Sequence, residues 1–402
     1  MPTNCDPTSP VLRIAVVGYG ARGGLARLVA SAPVPASVVA VADPEPSARA
    51  AAQNHFPDAD IVAAVEAVGR PDGIDAAIVL TPDDTHADVA IPLLEAGIPV
   101  FLEKPMAITL TEADRILAAA ATTGTGLFVG HNFRRTGVMK TLARIIGDGL
   151  IGEVKTIWVR HFVGNGGDYY FRDWHADRSR SNSLLLQKAS HDIDAIHGLA
   201  GAYTRRVTAM GELSVYGAVA ERLERPGQTM ADWFSYDNWP PQASPVAPVV
   251  DVEDVSMVLM ALDGGILASY QQCHFSPDYW RNYTVIGTHG RAENIGDTGG
   301  GVVRVWNRRR AWDPRGDLEF PIHADPEGHA DADQETIDEF LEMVANQSWS
   351  SPGAAGAAAA WEALVAARQA VAVGDLATRS LRGGSVPMDV PPLPKVVADR
   401  LP

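Results

Sequence analysis

Cysteine is nearly absent: the 402-residue chain holds two, Cys5 in a polar opening stretch and Cys273 in an apolar segment. So few, and so far apart, they argue against a disulfide framework or a CxxC metal site and suit a reducing compartment. Positive charge is also scarce, with 33 lysines and arginines against 49 acids and a net charge of −16. A nucleic-acid backbone or an anionic membrane surface repels such a chain, so neither is expected as a partner. No window supplies the roughly 18 apolar residues of a membrane span, and "MPTNCDPTSP" lacks the basic start and apolar core of a secretion signal. These absences predict a cytoplasmic protein with residues 1–10 as a disordered leader. Internal repeats are missing as well.

What is present is hydrophobic material, 46% of the residues, enough for two cores in a chain of this length. From Arg13 to about Gly130, short Val- and Ile-rich runs ("RIAVVGYG", "SVVAVADP", "DAAIVLTP", "IPVFLEKP", "GLFVGHN") alternate with helix-like stretches. That alternation predicts an α/β unit, residues 11–130, built as a doubly wound parallel sheet of the Rossmann kind. "THADVAIPLLEAG" is its clearest crossover helix, with Pro92 expected to remove a hydrogen bond and kink it. Residues 131–402 then read as a second, α+β domain. Its strands alternate in polarity, and "DGG" marks a hairpin, which predicts a large, open, mostly antiparallel sheet. An open sheet covered by helices on one face leaves the other for water or another subunit, so a homodimer or homotetramer through this sheet is expected. The Pro-rich stretch from Pro226 to Val250, with Trp233, Phe234, Tyr236 and Trp239, reads as a long loop wrapped over something apolar. The Ala-rich run near the end reads as a packing helix.

The segment "GYGARG", Gly18 through Tyr19, Gly20, Ala21 and Arg22 to Gly23, follows a strand and opens a helix, and Asp43 ends the next strand. A lone GxGxxG is weak, but strand, turn, helix, strand and acid in order point to a dinucleotide site. Gly18 permits the tight turn, Gly20 lets a pyrophosphate reach backbone N–H groups, and Gly23 lets helix and strand pack closely. Asp43 would accept hydrogen bonds from ribose hydroxyls and repel a 2′-phosphate, so NAD is favoured over NADP, although Arg49 a turn later would offset that repulsion.

In "VFLEKPMAITL", Glu103 and Lys104 stand at the C-terminal end of a buried strand, where open parallel sheets bind their ligands. Together with GYGARG, VADPEP, "TPDDTH", "GHNFRR", "GLIGEV", "HDID", "EDVSMVLMALDGG" and "VIGTHGRAEN", in order along the chain, this resembles the glucose-fructose oxidoreductase and inositol dehydrogenase family (Gfo/Idh/MocA). The resemblance implies a hydride transfer between NAD(P) and a carbon of a sugar, cyclitol or related compound. It implies that Lys104 contacts the reacting hydroxyl or carbonyl, that Thr81, Pro82 and His86 line the nicotinamide end, and that Glu103 helps anchor the ribose. A lysine in that role needs a pKa brought down from about 10.4 toward neutrality by burial.

"LLLQKASHDIDAIHGLAG" places Lys188, His191 and Asp194 at helical spacing along one side. The family pattern here is DxGxH. His191 matches its acid/base histidine, but Gln187 stands where the Asp is expected, and Lys188 is read as taking the vacant ionic role. A cation there would lower the imidazole pKa. The stripe His191, Asp194, His197 also mimics metal spacing, but no cysteine or third histidine joins it, and no metal is expected. In "HFVGNGGDYYFRDWHADRSRS", Tyr170 and Trp174 among acids and Arg suit a sugar, whose C–H faces stack on rings, or else simply pack an interdomain seam. Asn132 and Arg134 are further substrate contacts by family position.

The resulting reading is an NAD-dependent oxidoreductase acting on a carbohydrate-like hydroxyl or ketone, with Lys104, His191 and Lys188 handling the proton. Two alternatives stay open: an NAD-retaining glycoside-cleaving enzyme, and a non-catalytic NAD- and sugar-binding protein.

Overall fold

The computed structural model describes residues 10–64, 73–238, 244–323, 330–349 and 355–401. Most of the expected leader, residues 1–9, and Trp239 of the Pro-rich loop lie outside the described residues.

The first half forms a six-stranded sheet, β1 (Leu12–Val17), β2 (Ala36–Ala42), β3 (Asp60–Val62), β4 (Ala76–Val79), β5 (Val100–Leu102) and β6 (Leu127–Val129). All its pairs are parallel and the order is β3-β2-β1-β4-β5-β6. Strands β1 and β4 are apolar on both faces because helices cover both, so side chains such as Val16 and Ile78 are fully buried. The order reverses between β1 and β4, which opens a crevice at their carboxyl ends. The helix Leu110–Thr123 shows the local logic: the Thr109 side chain caps the Glu112 N–H at 3.2 Å, and Gly124 ends the helix in a left-handed conformation. Pro92 lies within the helix His86–Glu95, which continues past it for three residues. By contrast, the helix after the glycine turn is short: Gly24–Arg27, followed by a 3-10 turn Leu28–Ser31.

The second half forms a nine-stranded sheet: β7 (Val154–Phe162), β8 (Thr204–Glu212), β9 (Val255–Leu262), β10 (Leu267–Cys273), β11 (Trp280–Gly287), β12 (Arg291–Ile295), β13 (Val302–Trp306), β14 (Leu318–Pro321) and β15 (Met388–Asp389). Its order is β14-β13-β12-β11-β7-β10-β9-β8-β15, and only β7 and β10 run parallel. The "DGG" segment closes the β9–β10 hairpin, with Leu262 N–H donating to the Ile266 carbonyl at 2.8 Å. One face packs on the helices Gly137–Gly147, Ser190–Ala200 and Ala355–Arg382. The other carries Met210, Met257, Leu259, Leu267 and Trp158, each half exposed or more.

The boundary near residue 130 is a boundary in sequence more than in space. The helix Ala330–Asn346 returns to the first sheet, where Phe340 packs edge-on to Phe101. The helix Ala355–Arg382 serves both cores: Trp361, Leu364 and Val365 pack toward the first sheet and Val373 and Leu376 toward the second. The Pro-rich loop covers an apolar cluster built on Tyr170, Phe171 and Tyr216. Trp233 donates its indole N–H to the Asp168 carbonyl there at 3.0 Å. Among the described residues no helix is long and apolar enough to cross a membrane.

Candidate active site

The glycine turn sits at the crevice. Gly18 has φ +88°, and a Cβ there would lie 2.8–2.9 Å from the backbone of Leu80 and Thr81, so only glycine fits between β1 and β4. Gly20 differs: a Cβ there meets nothing within 4 Å. Its bare backbone faces open space, as a cradle for a phosphate group requires. Gly23 packs instead against the Gly20 carbonyl and the Tyr19 ring. Tyr19 turns inward, its hydroxyl 3.0 Å from His55 Nδ1, while Gly20, Ala21 and Arg22 form the exposed rim. Asp43 ties this turn to the end of β2, accepting from Tyr19 N–H at 2.7 Å and Glu45 N–H at 2.8 Å. Carboxylate oxygens keep further lone pairs for a ribose hydroxyl. Arg49 is pinned to the carbonyls of Asp43 and Pro44, at 2.8 and 2.6 Å.

Past β5, Glu103 is buried and engaged by protein: Arg22 Nε donates to it at 2.6 Å, and the Lys104 N–H donates to its other oxygen. Arg22 also reaches Asp333, which Asn132 contacts at 2.5 Å. A polar chain thus joins glycine turn, strand end and the helix Ala330–Asn346, and Asn132 spends its amide there. His86 is fully buried, its ring nitrogens 2.8 Å from the Pro105 carbonyl and 3.0 Å from the Thr81 carbonyl. It braces the EKP and TPDDTH loops against each other. Thr81 accepts from the Thr85 hydroxyl at 2.8 Å, and Pro82 accepts at its carbonyl from the same group.

Lys104 projects from this end, half-buried, with Nζ 3.4 Å from the Gln187 carbonyl oxygen. Burial lowers its pKa, and the nearby carboxylates of Glu103 and Asp83 offset part of that. His191 is buried, its ring 6.1 Å from that of His131 and 6.0 Å from that of Phe133, with Nδ1 unpartnered among the described residues. Burial and the charge of Lys104 keep it neutral, well below the usual histidine range. Lys188 is brought down to about 7 by burial and by the charges of Arg281 and Lys104. Behind this group lies a buried charge cluster: Asp192 receives Arg281 at 3.2 Å, His161 at 3.0 Å and the Tyr283 hydroxyl.

The expected stripe is broken at its start. Lys188 precedes the helix that begins at Ser190, while Asp194 grips Arg134 in a bidentate ion pair and lies 3.8 Å from Nδ1 of His131, the ring that neighbours His191. Arg134 is therefore already partnered. Gln187 is buried and its Oε1 is unpartnered among the described residues.

A cavity of about 380 Å³ adjoins the cluster, lined by Tyr170, Lys188, Tyr279, Asp297, Asn165 and Thr136 among others. Lys188 Nζ sits 5.8 Å from the Tyr170 ring centroid and has no hydrogen-bond or ion-pair partner among the described residues. Asp297 accepts from the Tyr279 hydroxyl at 2.7 Å. Neither Lys104 nor His191 lines this cavity; Lys188 joins it to the proton-carrying cluster. Trp174 stacks on His175 at 3.8 Å with Arg180 on its ring, just beyond. Among the described residues no group of histidines, cysteines and acids could hold a metal.

Sequence reasoning missed Asp83, Arg281, Tyr279, Asp297 and Asp333. Only Asp83 carried a signal, lying inside "TPDDTH"; the others reach the site from far along the chain, Arg281 from β11, Tyr279 and Asp297 from the segments flanking β11 and β12, and Asp333 from a helix.

Comparison with known proteins gives the following. The profile described as "Oxidoreductase family, NAD-binding Rossmann fold" matches residues 12–131, and that described as "GFO/IDH/MocA C-terminal domain" matches residues 139–293. An inositol 2-dehydrogenase of Rhizobium meliloti is 29% identical over 212 residues, 52% of this chain and 61% of that protein. A 2,7-anhydro-N-acetylneuraminate hydratase of Mediterraneibacter gnavus is 27% identical over 244 residues, 56% and 62%. The chain thus matches about three fifths of the length of these relatives. A levoglucosan dehydrogenase solved with NADH and levoglucosan superposes with a TM-score of 0.74 at 20% identity, covering 95% of this chain and 100% of that one, which establishes a shared fold.

Proposed function

Since the chain belongs to the GFO/IDH/MocA oxidoreductase family, we propose that it transfers a hydride between a nicotinamide cofactor and a secondary hydroxyl or ketone of a sugar or cyclitol. The observation that carries this reading is one arrangement. The Lys104 amine, its pKa lowered by burial, stands at the carboxyl end of β5 beside His191 and Gln187, on the same sheet edge as the open Gly20 cradle.

When bound, the nicotinamide supplies the hydride acceptor or donor. The chain does the rest. Gly18 to Gly23 hold the diphosphate against bare backbone, and Asp43 offers its carboxylate to the ribose, which favours NAD over NADP. Lys104 takes the hydroxyl proton during oxidation or returns it during reduction. His191, kept neutral, accepts a second hydrogen bond from the hydroxyl or relays its proton. Lys188 and the aromatic wall of Tyr170 and Tyr279 fit a polyhydroxylated ring, whose C–H faces stack while its hydroxyls bond. The exposed apolar face of the nine-stranded sheet is the surface we assign to homo-oligomer formation.

The test is a panel of cyclitols, aldoses and glycosides incubated with NAD, followed by NADH absorbance. Turnover on one class, lost in Lys104→Met, supports the reading. NADH formation with none of them, by protein shown to bind NAD, counts against it. A second reading has its own support: a lysine near neutrality, Lys188, suits protonation of a leaving group, and one relative is named a hydratase. Released aglycone without net NADH would select that reading.

A further inference from the structure

Lys188 brings a charge to the cavity that no carboxylate of the described residues meets. It follows the short helix Leu184–Gln187, precedes the helix Ser190–Ala200, and lines the space of about 380 Å³. An ammonium group carries three N–H donors. Among the described residues none of them finds an acceptor, and the contact Nζ does make is the Tyr170 ring, 5.8 Å away, which is a weak substitute for an anion. The acids that could have met it are spent elsewhere. Asp192 takes Arg281, His161 and the Tyr283 hydroxyl, and Asp297, on the cavity wall, accepts from the Tyr279 hydroxyl at 2.7 Å. The wall's other long-chain bases are in the opposite position. Lys140 is held by Glu335 at 2.6 and 2.8 Å, and Arg135 donates through Nε to Glu339 at 2.9 Å. Asp331 and His323 stand exposed at the mouth, where water screens them. What remains is one uncommitted cation beside open space.

We propose that this cavity takes a sugar bearing a carboxylate, a uronic or aldonic acid, and that Lys188 is the residue that selects it. The proposal rests on the dehydrogenase reading for the reaction, but not for the binding. A carboxylate gives the ammonium the charged acceptor that the protein withholds, whereas a neutral polyol offers lone pairs without compensating the charge. The rings of Tyr169, Tyr170 and Tyr279 line the same space and suit the C–H faces of the ligand. A phosphate dianion is matched less well, because it calls for more than one free cation, and Arg135 and Lys140 are both committed.

The charges around Lys188 make the binding depend on pH. Burial, Arg281 and Lys104 bring the amine down to about 7, against Asp192 and Asp297, which favour its charged form. The buried rings of His161, His175, His191 and His274 lie in its field and are held neutral. Above pH 7 the empty cavity therefore holds a mostly neutral amine, and a bound carboxylate draws a proton onto it.

The test is calorimetry on full-length protein with NADH present, titrated with D-glucuronate, D-galacturonate, D-gluconate, D-glucose and glucose 6-phosphate between pH 7 and 9. At least one acid should bind about ten- to a hundredfold more tightly than glucose, the range for a charge-assisted hydrogen bond. Its affinity should fall by up to about tenfold per pH unit above 7, with most of a proton taken up at pH 8 in buffers of differing ionisation enthalpy. Lys188→Gln should abolish both the preference and the pH dependence. Lys188→Arg, whose charge does not titrate, should keep the preference and flatten the slope, and this variant carries the test if Lys188→Gln does not fold. Glucose bound as tightly as every acid, a preference that survives Lys188→Gln, or glucose 6-phosphate outbinding the acids would each overturn the proposal. Lys188-dependent binding of an acid without NAD reduction on any substrate would sink the dehydrogenase reading and leave this site standing. NAD reduction by neutral sugars with no preference for an acid would do the reverse.

Discussion

Gly18 and Gly20 lie two residues apart in one turn, yet the structure assigns them separable roles that a pair of alanine variants can resolve. At Gly18 the backbone has φ +88°, and a methyl group would overlap Leu80 and Thr81. A left-handed non-glycine residue costs roughly 1–2 kcal/mol before any clash. Gly18→Ala should therefore lower the unfolding free energy by about 2 kcal/mol or more in a urea titration. At Gly20 the same methyl meets no protein atom within 4 Å. Gly20→Ala should leave stability unchanged or raise it by up to about 1 kcal/mol, because alanine restricts the unfolded chain. The cost appears only with ligand. A Cβ in the cradle displaces a diphosphate from the backbone donors, and charge-assisted hydrogen bonds are worth roughly 1.5–3 kcal/mol each. Losing one or two weakens NADH binding by about ten- to a hundredfold or more. Fluorescence titration of NADH reads this directly. Gly20→Ala binding NADH as tightly as wild type would refute the placement of the phosphates, whatever the activity.

Other expectations follow from the same geometry. Lys104→Met should lower kcat by roughly 10²–10⁴-fold with little change in NADH affinity, the range for losing a positioned acid or base. Arg281→Met strips a fully buried Asp192 of its cation and should cost about 3–5 kcal/mol in urea unfolding; adding Asp192→Leu should recover much of it. His197 is buried and depressed to about 4. Its neutral form is the folded one, so the unfolded chain binds the extra proton as pH falls below about 6.5. Stability is then full above pH 6.5 and declines toward pH 4, by roughly 3 kcal/mol from this residue; His197→Asn should flatten that slope by about one proton. Leu259→Arg, on the open face of the nine-stranded sheet, should reduce the sedimenting mass if that face joins subunits, while circular dichroism stays unchanged.

Much of the fold was legible because its signals are local. Parallel strands buried on both faces read as continuous Val and Ile runs, and the glycine turn, the acid after β2 and the EKP strand end follow from backbone geometry within a few residues. The short helix after Gly23 was not legible, since composition alone does not say where a helix becomes a 3-10 turn. Nor was the return of the helix Ala330–Asn346 to the first sheet, because its apolar stripe says only that it packs somewhere. For the site, the limit was pairing at long range. Arg134 and Asn132 looked available in sequence, but their partners, Asp194 and Asp333, lie 60 and 201 residues away. The helical spacing of Lys188, His191 and Asp194 suggested one face; the chain enters that helix only at Ser190, so Lys188 stands outside it, and Asp194 is taken up by Arg134.

The most informative disagreement between sequence and structure concerns charge. Lys104, Lys188 and Arg281 are drawn into one low-dielectric region, and three like charges cannot all be retained there without carboxylates. Asp192, with His161 and Tyr283 bonded to it, commits to Arg281 and keeps that residue charged. Glu103 and Asp83 share Lys104, and Lys188 is left without an acid in contact. Its fall to about 7 is what that division of partners dictates. Near neutral pH the groups of this region that exchange protons are the Lys188 amine, at about 7, and the Asp83 carboxyl, at about 8. The Arg281 guanidinium is a fixed charge that holds Lys188 down, and replacing it should raise the pH at which Lys188 loses its proton.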